Sequence, residues 1–266
     1  MPQIRGIARP PDMKPLTVIK AGTGVLTRVS DGTLDGAALV RLVTAIAGLV
    51  ENGHRCLLVS SGAVGAGVSA FGLGGYPADL VERQACAAVG QARLMHTYES
   101  LFRNFDLSVA QVLLIGADLH VEERCANVKG TLERLLSEPG IVPIINENDS
   151  VAVEELRVGD NDMLSARVAN LAGACRLILL TSVDGLLHPE NDSLIAEVED
   201  VECVLGFAKK EQGRFSIGGM ASKLQAVKMA VESGIETHIA NGRHPERLQG
   251  IIDGVPGVST RFPVKL

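Results

Sequence analysis

The feature that most constrains this chain is a recurring pair: a strand-length apolar run followed by a stretch with helical spacing. Leu16 to Ile19, Cys56 to Val59, Val109 to Leu114, Ile141 to Ile145, Leu177 to Leu180 and Thr237 to Ala240 read as strands, with a closing strand from Gly257 to Arg261. Between the first two lies Leu34 to Val50, where Leu39, Leu42, Val43, Ile46 and Leu49 recur at helical spacing and Asn52-Gly53 stops the helix. Helices are expected over Glu82 to Phe102, Glu122 to Leu136, Met163 to Leu171, Met220 to Ser233 and His244 to Ile252. Strand, helix and strand make a βαβ unit, which sets neighbouring strands parallel. Leu177 to Leu180 shows no alternation, as suits a central strand buried on both faces. The expected fold class is α/β, a three-layer αβα sandwich with a mainly parallel central sheet. Val151 to Val158 reads as a small hairpin, and from Gly185 to Glu211 the pattern weakens into hairpins and loops.

Composition narrows the function. There are 25 Lys and Arg against 31 Asp and Glu, a net charge of −6, with no basic run. That excludes a sequence-independent nucleic-acid binder, which needs a basic face to displace counterions. Aromatic residues make up 3% of the chain and Trp is absent, so stacking platforms are few as well. No apolar run approaches the roughly 20 residues of a bilayer crossing. Residues 1–14 lack an apolar core and read as a flexible leader, followed by one domain over 15–266. A cytoplasmic protein without membrane contact is expected. The five cysteines form no CxxC pair and read as reduced core thiols. The six histidines lie in surface-like contexts with no GxSxG partner, which leaves Ser-His-Asp hydrolysis unsupported.

The unusual polar residues gather where ligands gather in an open α/β sheet, at strand ends and helix starts. Lys20 ends an otherwise apolar strand, where it either snorkels to water or meets an anion. Ser60-Ser61-Gly62 opens the small-residue stretch to Gly67, which is a bland loop, a helix-packing glycine row or an anion cradle. Asn146 to Asp149 forms a turn or holds a polar substrate. Asp160-Asn161-Asp162 caps a helix, organises Mg²⁺ or positions lysines. Thr181-Ser182 ends the central strand, and Gly218 to Lys223 starts a helix. Neither GxGxxG nor a P-loop is present. Two lysines near glycine-rich turns suit neutralisation of a phosphoryl group in transit.

Taken together, Val18 to Thr23, Val59 to Ala63, Ala87 to Gln91, Ile145 to Asp149, Val158 to Asp162 and Gly218 to Ala226 resemble the amino acid kinase family, in its glutamate-phosphorylating branch. The resemblance runs from Leu16 to Phe262. It implies an N-terminal half, about 15–172, that takes the amino acid and a C-terminal half, about 173–266, that takes the nucleotide. The implied reaction is ATP plus L-glutamate giving ADP and L-glutamyl 5-phosphate, the first step of proline synthesis, with Mg²⁺ accompanying ATP and no metal ligands assigned to the chain. By the same resemblance Lys20 and Lys223 stabilise the phosphoryl group and Asp162 orients both. Ser61, Gly62, Asn146, Asp149, Asp160 and Asn161 match the glutamate site; Lys20, Thr181, Ser182, Ile217, Gly218, Gly219, Met220 and Lys223 match the ATP site. Also implied are a homo-oligomer (dimer or tetramer), feedback inhibition by proline with determinants over Gly72 to Asp79, and transient contact with glutamyl phosphate reductase. Many bacterial members continue into a domain resembling RNA-binding modules; a chain ending at Leu266 is expected to work without one. Other acceptors of the family (N-acetylglutamate, carbamate, a nucleoside monophosphate) and a non-catalytic amino-acid sensor are the alternatives. The chemistry is consistent: a carboxylate is a competent nucleophile at neutral pH, so alignment and charge neutralisation suffice without a strong base.

Overall fold

The computed structural model describes residues 14–152, 161–210 and 219–264. The strands are β1 (Leu16–Ala21), β2 (Arg55–Ser60), β3 (Ser108–Leu114), β4 (Ile141–Glu147), β5 (Arg176–Thr181), β6 (Glu236–Asn241) and β7 (Thr260–Phe262). They form one sheet in the order β3-β4-β2-β1-β5-β6-β7. Every pairing is parallel except β6 with β7. The helices are α1 (Thr23–Leu26), α2 (Gly36–Glu51), α3 (Ala63–Val68), α4 (Leu80–Phe102), α5 (Glu122–Leu136), α6 (Asn161–Leu171), α7 (Met220–Glu232) and α8 (Leu248–Ile252).

Period-2 alternation along the strands builds two cores, one on each face. Val18, Leu57, Leu177 and Leu179 pack with Leu164 and Val168 of α6 and Leu224 and Val227 of α7. Their neighbours Ile19, Leu58, Ile178 and Leu180 point the other way, against Leu39, Leu42 and Ile46 of α2 and Leu94 and Phe102 of α4. That is the expected three-layer sandwich. Each fully buried leucine contributes about 1.5–3 kcal/mol. The Asp35 carboxylate fixes the start of α2 by accepting from the N–H groups of Ala37 and Ala38. Gly53, at φ 83°, turns the chain out of the helix.

The chain lays β2 beside β1, jumps to the edge for β3 and returns to insert β4 between β2 and β3, then crosses to β5, β6 and β7 on the other side of β1. The topological switch therefore lies between β1 and β5. Loops after adjacent strands diverge there and leave a crevice at the carboxyl ends, the place where such sheets bind ligands.

The structure selects one alternative for the glycine row and changes two other sequence readings. The small-residue row after Gly62 is a helix, α3, because its glycines let it lie on α4 backbone to backbone. A Cβ on Gly67 would stand 2.0 Å from the Cys86 carbonyl oxygen, and one on Gly90 1.8 Å from that of Ala63. Cys175 and Cys203 are exposed and Cys125 half-buried, since they sit at element ends; only Cys56 and Cys86 are core thiols. His238 is buried, not superficial, because it faces inward from β6. The hairpin expected over 151–158 lies largely outside the described residues. The weak stretch after Gly185 contains the antiparallel bridge between Leu187 and Leu194 and a 3-10 segment, Val201–Lys210.

Candidate active site

The crevice at the switch point holds a cavity of about 630 Å³, within the range of small-molecule sites. Its floor is a charge triplet. The Asp162 carboxylate, 1% exposed, meets the Lys20 ammonium through Oδ1 at 2.6 Å and the Lys223 ammonium through Oδ2 at 3.0 Å. The three groups come from three elements: Lys20 from the end of β1, Asp162 from the first turn of α6, Lys223 from the first turn of α7. Lys20 does not snorkel; it is 5% exposed and Lys223 is 7% exposed. Burying an ammonium is tolerable only with a counter-charge close by. Here two cations meet on one anion. Burial alone would push the Asp162 carboxyl up, but the adjoining Lys20 and Lys223 ammoniums prevail and hold it below the usual carboxylate range.

Glycine leaves space beside this triplet. A Cβ on Gly22 would lie 3.0 Å from the Lys20 Nζ and press on the ammonium. Gly62, at φ 96°, takes the left-handed conformation that redirects the chain from β2 into α3.

One wall is a connected set of amides and hydroxyls. Asn161 Nδ2 faces three acceptors: the Ser61 hydroxyl at 2.7 Å, the Asn146 Oδ1 at 3.0 Å and the Ser60 carbonyl at 3.1 Å. The Ser60 hydroxyl bonds both the Ser61 carbonyl, at 3.0 Å, and the Tyr98 hydroxyl, at 2.9 Å. Burial pushes the Tyr98 phenol upward, so it stays neutral and free to share its proton in that contact. Asp149 and the buried Glu147 bring negative charge to the same cavity, and Thr181 and Ser182 enter it from the end of β5.

Of the residues singled out from sequence, Lys20, Ser61, Gly62, Asp149, Asn161, Asp162, Thr181, Ser182 and Lys223 line this one cavity. Asn146 does not line it. At 1% exposed it stands behind Asn161 and holds that residue in place. Gly219 caps α7 and Met220 is buried beneath it, both away from the cavity lining. Asp160, Ile217 and Gly218 lie outside the described residues. Sequence reasoning missed the turn from Thr27 to Gly32, which roofs the cavity, and Tyr76 and Arg83, which line it. Asp31 and Gly32 read only as a turn. Its proximity to α3, where a Cβ on Gly65 would stand 2.5 Å from the Gly32 carbonyl oxygen, is a long-range contact with no local signal. A lone arginine near the start of an amphipathic helix reads as part of a solvated face.

The sequence profile of the amino acid kinase family matches residues 15–241. The glutamate 5-kinase of Clostridium acetobutylicum is 44% identical over 242 residues, covering 89% of this chain and 90% of its own length. The glutamate 5-kinase of Photorhabdus laumondii is 44% identical over 251 residues, which cover 92% of this chain and 67% of the relative. Among solved structures, carbamate kinase from Giardia lamblia bound to AMP-PNP superposes with a TM-score of 0.63 at 13% identity, covering 94% of this chain and 98% of that one. The isopentenyl phosphate kinase product complex of T. acidophilum gives 0.61 at 17% identity, covering 92% and 98%. At such identities the likeness is one of fold.

Proposed function

The chain belongs to the amino acid kinase family, as a kinase acting on a carboxyl group, and on that premise we propose that it transfers the terminal phosphoryl group of ATP to the γ-carboxylate of L-glutamate, giving ADP and L-glutamyl 5-phosphate. The observation that carries this reading is the pair of buried ammoniums on one buried carboxylate at the switch point. Phosphoryl transfer between two anions needs positive charge fixed where the transferring group passes. Asp162 holds both lysines by their bonds to its two oxygens, so neither ammonium has to reorganise as the reaction proceeds.

The division of labour follows the sheet. The loops after β2 and β4, with Ser61, Gly62, Asp149 and Asn161, take glutamate; those after β5, with Thr181, Ser182 and Lys223, take the nucleotide. Lys20, on β1 at the boundary, serves both. Asn146 acts through Asn161, the family resemblance assigns Asp160, Ile217 and Gly218 to the two subsites, and Gly219 and Met220 set the start of α7 from outside the cavity lining. On this reading the two halves meet near residue 172, a position that lies between the end of α6 at Leu171 and the start of β5 at Arg176. Glutamate needs its ammonium met by negative or carbonyl groups, which Asp149, Glu147 and Asn161 provide. It needs no strong base at its γ-carboxylate, since that group is already ionised, and attack is in line on the phosphorus.

Mg²⁺ enters with ATP as part of the substrate. Among the described residues no group of three acidic, histidine or cysteine side chains is placed to hold a metal ion. The Asp162 oxygens are engaged by lysines, which fits an ion carried by phosphate oxygens rather than by the chain. The product is the first intermediate of proline synthesis. Proline then fits the same pocket as a feedback ligand, with Gly74, Gly75 and Tyr76 of the glycine-rich segment lining it. The enzyme acts in the cytoplasm as a homo-oligomer and passes its labile product to a reductase. Among the described residues no helix is long and apolar enough to cross a membrane.

The test is product capture: the chain incubated with L-glutamate, ATP, Mg²⁺ and hydroxylamine forms γ-glutamyl hydroxamate. Absence of hydroxamate with glutamate, alongside ADP release with carbamate or N-acetylglutamate, refutes the assignment.

A further inference from the structure

We infer that Gln91 on α4 is a positioning residue that fixes which atom of Asn161 faces the acceptor, and so selects an acceptor bearing an ammonium group; the inference rests on the glutamate reading above. Three polar side chains, Gln84, Gln91 and Tyr98, stand seven residues apart on α4 and therefore share one face of the helix. Each reaches a loop of the acceptor wall. Gln84 Nε2 donates to the Ala152 carbonyl at 3.3 Å, the Tyr98 hydroxyl meets the Ser60 hydroxyl at 2.9 Å, and Gln91 Oε1 accepts from Asn146 Nδ2 at 3.0 Å. None of the three lines the cavity.

The middle contact starts a chain with a fixed direction. Asn146 Oδ1 accepts from the Glu147 N–H at 2.9 Å and from Asn161 Nδ2 at 3.0 Å, which leaves its own Nδ2 for Gln91. A backbone N–H can only donate, and the Ser60 carbonyl that faces Asn161 Nδ2 can only accept, so both amides point one way. Asn161 Oδ1 is what remains. It is buried without a partner among the described residues, and Asn161 lines the cavity. A buried acceptor left unmatched is costly, and an N–H donor on a ligand removes that cost. The ammonium of an α-amino acid supplies one; a plain dicarboxylate does not.

Asn146, 1% exposed, has no water to replace Gln91. Without the Gln91 oxygen its Nδ2 is a buried donor lacking an acceptor. Rotating to find one takes its Oδ1 off Asn161, whose amide is then held by Ser60 and Ser61 alone and keeps its oxygen toward the substrate less tightly.

The experiment compares L-glutamate with glutarate, which lacks the amino group. In Gln91→Met, which keeps length and removes the acceptor oxygen, the KM for glutamate rises about tenfold, the equivalent of losing one hydrogen bond to a charged group. The inhibition constant of glutarate against glutamate changes less than about twofold, and Gln91→Glu, which keeps the oxygen, restores the glutamate KM. Should Gln91→Met not fold, Gln91→Asn withdraws the oxygen by one methylene and carries the same expectation. A parallel rise in both constants, or no rise in either, overturns the inference. Wild-type protein without glutamate-dependent turnover refutes the proposed function and the inference with it. Wild-type turnover with an unchanged ratio in the variants refutes the inference alone.

Discussion

Replacing Asp162 with alanine leaves two ammoniums buried at the floor of the cavity with their shared counter-ion gone. Lys20 and Lys223 are 5% and 7% exposed and each lies within 3.0 Å of that carboxylate, so each loses a close counter-charge. Removing one partner of a buried pair costs about 3–5 kcal/mol. A domain of this size loses roughly 2–4 °C of melting temperature per kcal/mol, so Asp162→Ala melts roughly 6–20 °C below wild type. The loss is electrostatic and has a signature beyond the shift. Phosphate or sulfate binds the stranded cations and raises the melting temperature of the variant more than that of wild type. Turnover falls by about 10²–10³-fold, the usual penalty for losing one fixed charge stabiliser. The assay is differential scanning fluorimetry across a phosphate series with steady-state ADP release beside it. A variant that melts within about 2 °C of wild type and responds equally to phosphate refutes the triplet as the organising feature of the floor.

Lys223→Ala lowers kcat by about 10²–10³-fold with little change in the glutamate KM, since its charge is used mainly in the transition state. Asp149→Ala does the opposite, raising the glutamate KM about tenfold or more, and steady-state kinetics of the two variants separates the roles. Gly90→Ala drives a Cβ to 1.8 Å from the Ala63 carbonyl oxygen and destabilises by about 3 kcal/mol or more, whereas Gly130→Ala, with nothing within 4 Å, stabilises α5 by about 1 kcal/mol in urea unfolding. Glu236 is held below the usual carboxylate range by its bond from His238, and by Arg261 and Arg176, against the opposing effect of burial. Its contribution is therefore present at neutral pH and lost as acid protonates it. Glu236→Gln is less stable than wild type at pH 7, and the gap closes as melting is followed down through pH 4 to pH 2.

Most of the fold was legible because its signals are local. A run such as Leu177 to Leu180 announces a doubly buried strand, and Asn52-Gly53 marks where a helix stops. The candidate site was legible as far as strand ends and helix starts carry polar residues: Lys20, Ser61, Asn161 and Asp162 are found together. What local reading could not give was which member of a cluster faces the cavity. Asn146, near the end of β4, and Asp149, in the turn after it, stand three residues apart, yet one supports the wall from behind and the other lines it, a difference set by Asn161 and Gln91 from other parts of the chain. The role of the glycine row stayed open in the sequence because its glycines answer to the backbone of α4 rather than to local propensity.

The central claim is tested most directly by initial-rate ADP release from MgATP with L-glutamate, carbamate, N-acetylglutamate and a nucleoside monophosphate supplied in turn. Saturable turnover with L-glutamate, at least about a hundredfold above the others in kcat/KM, is the predicted result. Turnover with another acceptor and none with glutamate, or no turnover with any of them, contradicts the account.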